Sequence, residues 1–168
     1  MPVTIEPLGP HHERRAFTCG QPALDIWFRE RAGQDEKRNL ARVFVATDDQ
    51  GIAGFYSLST YTLSLSDLPT DLARKLPRYE ALPAALVGRL ARAERVRRQG
   101  VGELLIADAL RRTLSAAQSV AVYAILVDSK DERGSAFYKR FGFQPFPSRP
   151  SRLFLLAETA AKALRRLG

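Results

Sequence analysis

Short apolar runs alternate along the chain with stretches of helical periodicity. The clearest run is residues 120–127 (VAVYAILV), and a run without polar interruption is typical of a strand that is covered on both faces. Four further strands are predicted at residues 42–47, 52–58, 84–92 and 152–156. The first two of these are joined by Asp-Asp-Gln-Gly, and such turn residues indicate a hairpin.

Helical patterns lie between the predicted strands. Residues 100–116 are apolar around much of a helix circumference, which predicts a largely buried helix. Gly142 is a candidate C-terminal cap for a short helix over residues 135–141. Further helices are predicted at residues 24–33, near 71–76 and at 158–167. A hairpin followed by a β-α-β-α-β succession predicts the α/β class, with a central mixed β-sheet flanked by helices.

The length and composition set bounds on this fold. A chain of 168 residues predicts one domain, and Pro2, Pro7 and Pro10 indicate an irregular N-terminal arm over residues 1–15. No apolar run approaches the ~20 residues that span a bilayer, so we expect no membrane partner. The single cysteine, Cys19, excludes an internal disulfide, which is typical of a reducing compartment and favours a cytoplasmic protein.

The charge balance points toward a polyanionic partner without deciding for one. Lys and Arg number 26 against 18 Asp and Glu, so the formal net charge is +8. Most of the cations are arginines, whose planar forks pair with phosphate through two bonds at once. A positive field attracts polyanions, but many soluble proteins are basic for solubility alone, and the net charge fits both interpretations.

The strongest candidate binding site is the junction at residues 97–102 (RRQGVG), where a predicted strand runs directly into a predicted helix. Its two glycines allow the backbone to approach a ligand closely. The first turn of a helix carries unpaired N–H groups and partial positive charge, which suits a pyrophosphate. Arg95, Arg97 and Arg98 add full charges beside that turn. A plain tight turn with solvated arginines is the alternative.

A second candidate is Tyr138, which lies among phenylalanines in residues 137–143 (FYKRFGF). A phenol has a reference pKa of ~10 against ~8.5 for a thiol, so a proton can pass between the two groups in either direction. Tyr138 is therefore a candidate general acid toward a leaving thiolate. The alternative is a core aromatic residue whose hydroxyl bonds to the backbone, which is common for a half-buried tyrosine.

The motif Arg97-x-x-Gly100-x-Gly102 matches the Q/R-x-x-G-x-G/A acetyl-CoA motif, and in it the chain resembles the GNAT superfamily of acetyltransferases. Further blocks resemble a narrower group, the GNAT toxins of bacterial toxin–antitoxin modules, which acetylate the amino group of aminoacyl-tRNA. These blocks lie at residues 17–20, 24–28, 42–45, 54–58, 88–91 and 131–143. The resemblance implies the GNAT acyl-CoA N-acyltransferase fold, N-acetyltransferase activity, and a toxin that blocks translation.

The resemblance also implies roles for individual residues. Backbone groups of Leu90, Ala91 and Arg92 are expected to pair with the pantetheine arm of acetyl-CoA as a further strand would. Backbone amides of the cofactor loop are expected to cradle its pyrophosphate. This cofactor loop comprises Arg97, Arg98, Gln99, Gly100, Val101 and Gly102. Tyr138 is expected to lie near the thioester sulfur as the general acid, and no metal is implied.

The sequence departs from the family pattern at two places. Arg92-Ala93 stands where family members usually have Val-Asp, which puts a charge at the edge of the strand that is expected to hold the cofactor. Arg98 stands where many members have a glycine, at a free position of the motif. The first departure bears on the choice of substrate, whereas the second is expected to be harmless.

Several cations outside the cofactor loop are candidates for gripping a tRNA acceptor stem through its phosphates. They are Arg74, Lys75, Arg78, Arg89 and Arg140. Arg78 and Arg89 are the strongest of them because they flank the entry to the predicted active-site strand, although Arg89 is equally suited to a structural role. The resemblance further implies a homodimer and a ribbon-helix-helix antitoxin as a partner.

The chemistry of the accepting amine separates the possible substrates. A lysine amine with a pKa of ~10.4 needs a strong base, whereas an α-amine near ~8 needs little help. Glu80, Glu94 and Glu132 are candidate bases, but exposed glutamates are the norm and none stands out. Two alternatives to a tRNA-directed toxin stay open. One is an acetyltransferase of a small amine, peptide or protein lysine, and the other is a non-catalytic basic module that binds nucleic acid.

Cys19 and the two histidines are weaker candidates. Nothing near Cys19 supplies a paired histidine, so a structural cysteine is favoured over a nucleophile. His11 and His12 have no Cys or acidic partners at metal-binding spacing, so no metal site is predicted.

Overall fold

A seven-stranded mixed sheet runs through the computed structural model, which describes residues 2–166. The strands are β1 (Thr4–Pro7), β2 (Arg42–Asp48), β3 (Gly51–Ser64), β4 (Ala81–Arg92), β5 (Ala124–Asp128), β6 (Gln144–Phe146) and β7 (Arg149–Leu156). Their order in the sheet is β1-β2-β3-β4-β5-β7-β6. β4 and β5 are parallel, whereas β1–β2, β2–β3, β5–β7 and β6–β7 are antiparallel. The prediction of a mixed sheet with helices is confirmed.

The helices connect these strands. They are α1 (Pro22–Ile26), α2 (Ala32–Lys37), α3 (Thr70–Ala73), α4 (Val101–Ala116), α5 (Glu132–Arg140) and α6 (Ala157–Arg166). A π-helical segment, Trp27–Arg31, joins α1 to α2, and 3₁₀ turns lie at Leu65–Asp67 and Glu94–Val96. The last predicted helix extends to Leu167, which lies outside the described residues. Among those described, no helix combines the length and apolar character that crossing a bilayer requires.

The first helical region is longer than residues 24–33, which the pattern predicts. It starts earlier because Pro22 occupies an N-terminal helical position, where proline is well tolerated. Gly33 does not end it but lies inside α2. The chain leaves the helix at Asn39, whose φ of 60° is the left-handed conformation that asparagine tolerates better than most residues.

Two other elements differ from their predicted bounds for identifiable reasons. β5 begins only at Ala124, and Val120, inside the predicted strand, is 67% exposed. Apolar character alone therefore misplaced the start of this strand. Helix α5 begins earlier than predicted because the Asp131 carboxylate accepts a hydrogen bond from the Gly134 N–H at 2.8 Å, which caps the helix.

The N-terminal arm differs from the irregular chain that its prolines predict. β1 pairs with β2 in antiparallel fashion, from Thr4 opposite Thr47 to Pro7 opposite Phe44. Pro7 ends β1, and β1 is an edge strand of the sheet. A proline at the end of an edge strand removes little ladder bonding, which is why the strand tolerates it.

The chain divides into two compact units: residues up to Ser59 with 88–109, and residues 60–87 with those from 110 onward. The first unit has an aromatic core centred on Phe55. The Phe55 ring stacks on Phe28, with centroids 4.1 Å apart and an interplanar angle of 1°. It also lies 5.5 Å from the Phe17 ring and 5.9 Å from the Trp27 ring. All four side chains are buried.

The second unit has a mostly aliphatic core on one face of β5. Leu126 is fully buried and belongs to one apolar cluster with Leu63 of β3, Leu82 of β4 and Phe154 of β7. Phe146 closes the cluster, with its ring 4.8 Å from that of Phe154. This core fixes β5 and β7, which carry residues of the candidate site.

Candidate functional site

The last part of β4 leaves one edge of its backbone open. Among the described residues, β4 pairs with β5 over residues 84–87 and not beyond. The N–H groups of Arg89 and Ala93 donate to β3, to a side chain at 3.1 Å and a carbonyl at 2.8 Å respectively. Because successive N–H groups point to opposite edges of a strand, those of Leu90 and Arg92 point away from β3. This edge can pair with a strand-like ligand.

The cofactor loop turns the chain from β4 into α4 through two left-handed residues, Arg98 (φ 66°) and Gly100 (φ 79°). Within residues 2–166, four of its backbone N–H groups are recorded in no hydrogen bond. They are those of Arg98, Gly100, Val101 and Gly102. Free N–H groups at the start of a sixteen-residue helix can bind an anion, so this geometry is compatible with the cofactor role expected of the loop.

Arg95, which was expected to add charge to this loop, is engaged elsewhere. Its guanidinium forms two hydrogen bonds to the Asp48 carboxylate, at 2.9 and 2.8 Å, and a third to the Ile52 carbonyl. The hydrogen bonds from Arg95 lower the pKa of Asp48 below its usual value. The pair ties the β2–β3 hairpin to the turn that precedes the loop. Arg97 and Arg98 are exposed and stay candidates for phosphate contact.

The left-handed conformation of Arg98 explains why glycine suits this position. A non-glycine residue there costs about 1–2 kcal/mol. We expect Arg98→Gly to keep acetyl-CoA affinity within about fivefold of wild type, because the backbone N–H remains and only one exposed charge is lost. Isothermal titration calorimetry measures this affinity, with Arg97→Gly as the matched control. A far larger loss would mean that the Arg98 side chain carries the binding.

Helix α5 holds Tyr138 in an aromatic setting, with its ring 5.2 Å from that of Phe137 and 5.7 Å from that of Phe143. The residue is 5% exposed. No described residue forms a recorded hydrogen bond with its hydroxyl, so the backbone partner of the core-tyrosine alternative is missing within residues 2–166. Burial raises the pKa of Tyr138 well above its usual range, and the Asp128 carboxylate adds to this. The phenol therefore stays protonated and can donate.

An ion pair between Asp128 and Arg152 is a feature that sequence reasoning missed. The Arg152 Nε and Nη2 atoms donate to the two carboxylate oxygens at 2.7 and 2.8 Å, and the guanidinium lies 4.7 Å from the centre of the Tyr61 ring. Arg152 is only 9% exposed, and its charge is paired within the protein. The pairing register of the two strands could have revealed this ion pair, because Asp128 ends β5 directly opposite Arg152 of β7.

Three candidate RNA-binding cations are grouped in the second unit. Arg74, Lys75 and Arg78 follow α3 and are all exposed. Within residues 2–166 none of the three takes part in a recorded ion pair. Their charges are therefore available to an external anion.

The other two candidates contact aromatic rings. The Arg89 guanidinium lies 4.1 Å from the centre of the Trp27 ring, and Arg89 is half-buried. The Trp27 indole N–H donates to Asp35 at 3.0 Å, which fixes the ring. This arrangement fits the structural role considered for Arg89. Arg140 is exposed and lies 5.7 Å from the Phe137 ring centre.

The candidate bases and the candidate metal ligands have structural explanations. Glu80, Glu94 and Glu132 are all exposed, as expected of surface carboxylates. At the N-terminus, both histidines contact Glu6, at 3.0 Å from His11 and 2.8 Å from His12.

The cluster of Glu6, His11 and His12 is better suited to holding the N-terminal arm by hydrogen bonds than to binding a metal ion. The Gly9 N–H donates to His12 Nδ1 at 2.9 Å, so His12 carries its proton on Nε2 and donates it to Glu6. A metal at Nε2 would require the opposite tautomer. The hydrogen bonds from His11 and His12 lower the pKa of Glu6. They also explain why the arm after β1 is ordered.

Cys19 is expected to be nearly inert toward thiol reagents. Burial, together with a hydrogen bond with Asp25, raises the pKa of its thiol to about 11. Since the thiolate is the reacting species, modification by Ellman's reagent at pH 8 should be at least about a hundredfold slower in native than in urea-unfolded protein. Cys19→Ala should retain acetyl transfer. Loss of activity in this variant would instead support the nucleophile hypothesis.

Comparisons with known proteins agree with this geometry. A family model described as "Acetyltransferase (GNAT) domain" matches residues 39–145. A protein of Sinorhizobium fredii named "Probable toxin TacT" is 37% identical over 161 residues, covering 90% of this chain and 89% of that protein. The "tRNA-acetylating toxin" of Mycobacterium tuberculosis is 34% identical over 145 residues, covering 86% of each chain.

A solved structure shows the same fold over almost the entire chain. It is that of AtaT complexed with acetyl-methionyl-tRNAfMet, with a TM-score of 0.87 and 25% sequence identity. The match covers 99% of this chain and 99% of that chain. The fold match therefore includes the cofactor loop, α5 and the cations after α3.

Proposed function

Because this chain belongs to the GNAT acetyltransferase family, we propose that it is a toxin that acetylates the α-amino group of aminoacyl-tRNA and so blocks translation. The chain is an N-acetyltransferase, and its family takes the acetyl group from acetyl-CoA. The names of its two sequence relatives and the tRNA in the AtaT complex support the RNA substrate. The observation that carries the proposal is the set of free amides at the start of α4.

The residues of the cofactor loop fit acetyl-CoA. The N–H groups of Arg98, Gly100, Val101 and Gly102 suit its diphosphate, with Gln99 between them and the Arg97 side chain adding charge. The N–H groups of Leu90 and Arg92 point to the free edge of β4, where they suit the amides of the pantetheine arm, and Ala91 lies between them. Bound there, acetyl-CoA supplies an acetyl thioester that an amine can attack.

Tyr138 is proposed as the general acid. When the new C–N bond forms, the C–S bond breaks, and Tyr138 delivers its phenolic proton to the departing sulfur. The setting supports this role because burial keeps the phenol protonated and its hydroxyl has no recorded partner among residues 2–166. Helix α5, capped by Asp131, fixes the backbone that carries the ring.

The accepting amine needs little help from the protein. An α-amine near pKa ~8 is partly neutral at physiological pH, and the ester of an aminoacyl-tRNA lowers that pKa further. The exposure of Glu80, Glu94 and Glu132 agrees with this, since no strong base is required. The proton lost by the acetylated nitrogen passes to water, and water returns a proton to the Tyr138 phenolate, so the proton balance is complete.

Exposed cations support an RNA substrate. Arg74, Lys75 and Arg78 can pair with acceptor-stem phosphates, and their unpaired state means that no internal salt bridge has to break first. Arg140 is proposed as a further contact to the RNA phosphates. Arg89 is proposed to add positive charge while its guanidinium stays packed on the Trp27 ring. We further propose that the chain works as a single domain in the cytoplasm and forms a homodimer. A ribbon-helix-helix antitoxin is proposed as its protein partner.

A two-step experiment tests the proposal. Calorimetry with acetyl-CoA comes first, and the purified protein should bind it. Total charged tRNA is then incubated with protein and acetyl-CoA, and mass spectrometry of the released aminoacyl-adenosine should show an added acetyl group. Free polyamines and a lysine peptide serve as matched acceptors. Transfer to these acceptors but not to tRNA would favour the small-amine alternative, and no binding of acetyl-CoA would remove the enzymatic account.

A further inference from the structure

A shallow groove of the second unit lies beside the free cations. It has a volume of about 540 Å³, and its lining includes Ser64, Ser66, Arg78, Tyr79 and Glu80. These residues lie between Ser64, the last residue of β3, and Glu80, which directly precedes β4. The groove is therefore built from one continuous stretch of chain.

The unusual member of this groove is Tyr79. It is 64% exposed and is the one aromatic residue among the exposed large hydrophobic side chains of residues 2–166. Its N–H donates to the Pro77 carbonyl at 2.8 Å, which holds the chain in a tight turn beneath the side chain. An exposed aromatic ring on a constrained backbone loses little conformational entropy when a flat partner stacks on it.

The groove combines apolar side chains, Leu65 and Ala73, with charged groups and hydroxyls around the Tyr79 ring, and this mixture matches a nucleotide, which has a flat base, a ribose and a phosphate. Arg78 precedes Tyr79 and is exposed without a recorded ion pair, whereas Glu80 follows it. The hydroxyls of Ser64 and Ser66 are 2.9 Å apart at the same groove. A guanidinium suits a phosphate, hydroxyls suit a ribose, and a carboxylate can accept from the exocyclic amine of a base.

We propose that this groove, the Tyr79 groove, binds the unpaired 3′ end of the substrate RNA, with Tyr79 stacked on one base and Arg78 on a neighbouring phosphate. The inference rests on the proposed function, which makes aminoacyl-tRNA the substrate. A single-stranded end is required because paired bases stack on one another and present no free face to a ring. Stacking is tolerant of base identity, so the groove positions the RNA end rather than selecting its sequence.

Two variants of Tyr79 separate stacking from other roles. Tyr79→Ala should raise KM for aminoacyl-tRNA about tenfold, the effect expected of one base–aromatic contact, with little change in kcat. Tyr79→Phe should stay near wild type because a phenyl ring still stacks. Leu40→Ala is the matched control, since Leu40 is also exposed, at 60%, but lies in the first unit. It should leave KM unchanged.

A binding measurement makes the test independent of catalysis. 2-Aminopurine is placed in the unpaired 3′ end of a tRNA acceptor minihelix, and its fluorescence is followed during titration with protein. The wild type, Tyr79→Phe and Leu40→Ala should quench the fluorescence, and Tyr79→Ala should not.

Binding of an RNA end in the Tyr79 groove and acetylation of aminoacyl-tRNA can be disproved independently. Equal KM values and equal quenching for the wild type and Tyr79→Ala would overturn the groove assignment and leave tRNA acetylation standing. If the wild type acetylated no aminoacyl-tRNA, the proposed function would fall, and the quenching experiment would still decide whether the groove binds an RNA end. Loss of quenching in Tyr79→Phe as well would also overturn a stacking role.

Discussion

Tyr138→Phe is expected to lower kcat by about 10²- to 10⁴-fold, the range typical of a lost general acid. The variant removes the phenolic oxygen but keeps the ring that packs between Phe137 and Phe143. Acetyl-CoA affinity should therefore change little, because the amides proposed to bind it belong to the cofactor loop. Thiol release in steady state gives kcat, and calorimetry gives the dissociation constant.

The pH profile provides a second test of Tyr138. Its pKa is raised by burial above the reference of ~10, so the phenol is already protonated throughout the range in which the amine titrates. The value of kcat/KM should rise as an α-ammonium of pKa ~8 or below loses its proton, and then stay level to about pH 10. A falling limb near pH 8, or a Tyr138→Phe variant with wild-type kcat, would remove Tyr138 from the acid's role.

Phe55→Ala is expected to destabilise the fold by about 3–5 kcal/mol, the usual cost of truncating a buried phenylalanine. Phe55 is fully buried and contacts the rings of Phe17, Trp27 and Phe28. Removing it leaves a cavity among three rigid rings, which cannot collapse easily. Urea unfolding followed by circular dichroism measures the change in the free energy of unfolding.

Phe55→Leu is the matched control for this prediction. Leucine keeps most of the buried volume but loses the ring stacking, so we expect an intermediate cost of about 1–2 kcal/mol. A cost below about 1 kcal/mol for Phe55→Ala would show that the aromatic core does not depend on this residue. Acetyl-CoA affinity, measured well below the unfolding transition, should stay near wild type because the ring lies in the core.

Local pattern was enough to predict most of the fold. The hairpin, the buried helix α4 and the strand before it were all identified, because each has a periodicity or a turn signal of its own. The start of β5 was misplaced because Val120 is apolar but exposed. β1 was missed because its partner, β2, is distant in sequence and three prolines masked a short edge strand.

The candidate site was predictable where one segment carries it and not where two segments meet. The cofactor loop followed from a motif whose glycine and helix start are adjacent in sequence. The Arg152–Asp128 pair was not visible because strand register brings the two residues together. The Arg95–Asp48 pair was not visible because it joins the 3₁₀ turn after β4 to the distant end of β2. The cluster of Glu6 with the two histidines was missed for a different reason, because a local turn with a hydrogen bond from the His12 N–H to the Gly9 carbonyl brings the histidines back to Glu6. The count of charged residues therefore overstated how many arginines are available to bind an external anion.

The inert Cys19 has a practical consequence for spectroscopy. It is the single cysteine of the chain, and its raised pKa keeps it silent toward maleimides under mild conditions. A spin label or a fluorophore can therefore be attached at an introduced Leu40→Cys, and Cys19 does not have to be removed first. Nanometre distances from such labels to an RNA end would then follow docking in the native enzyme.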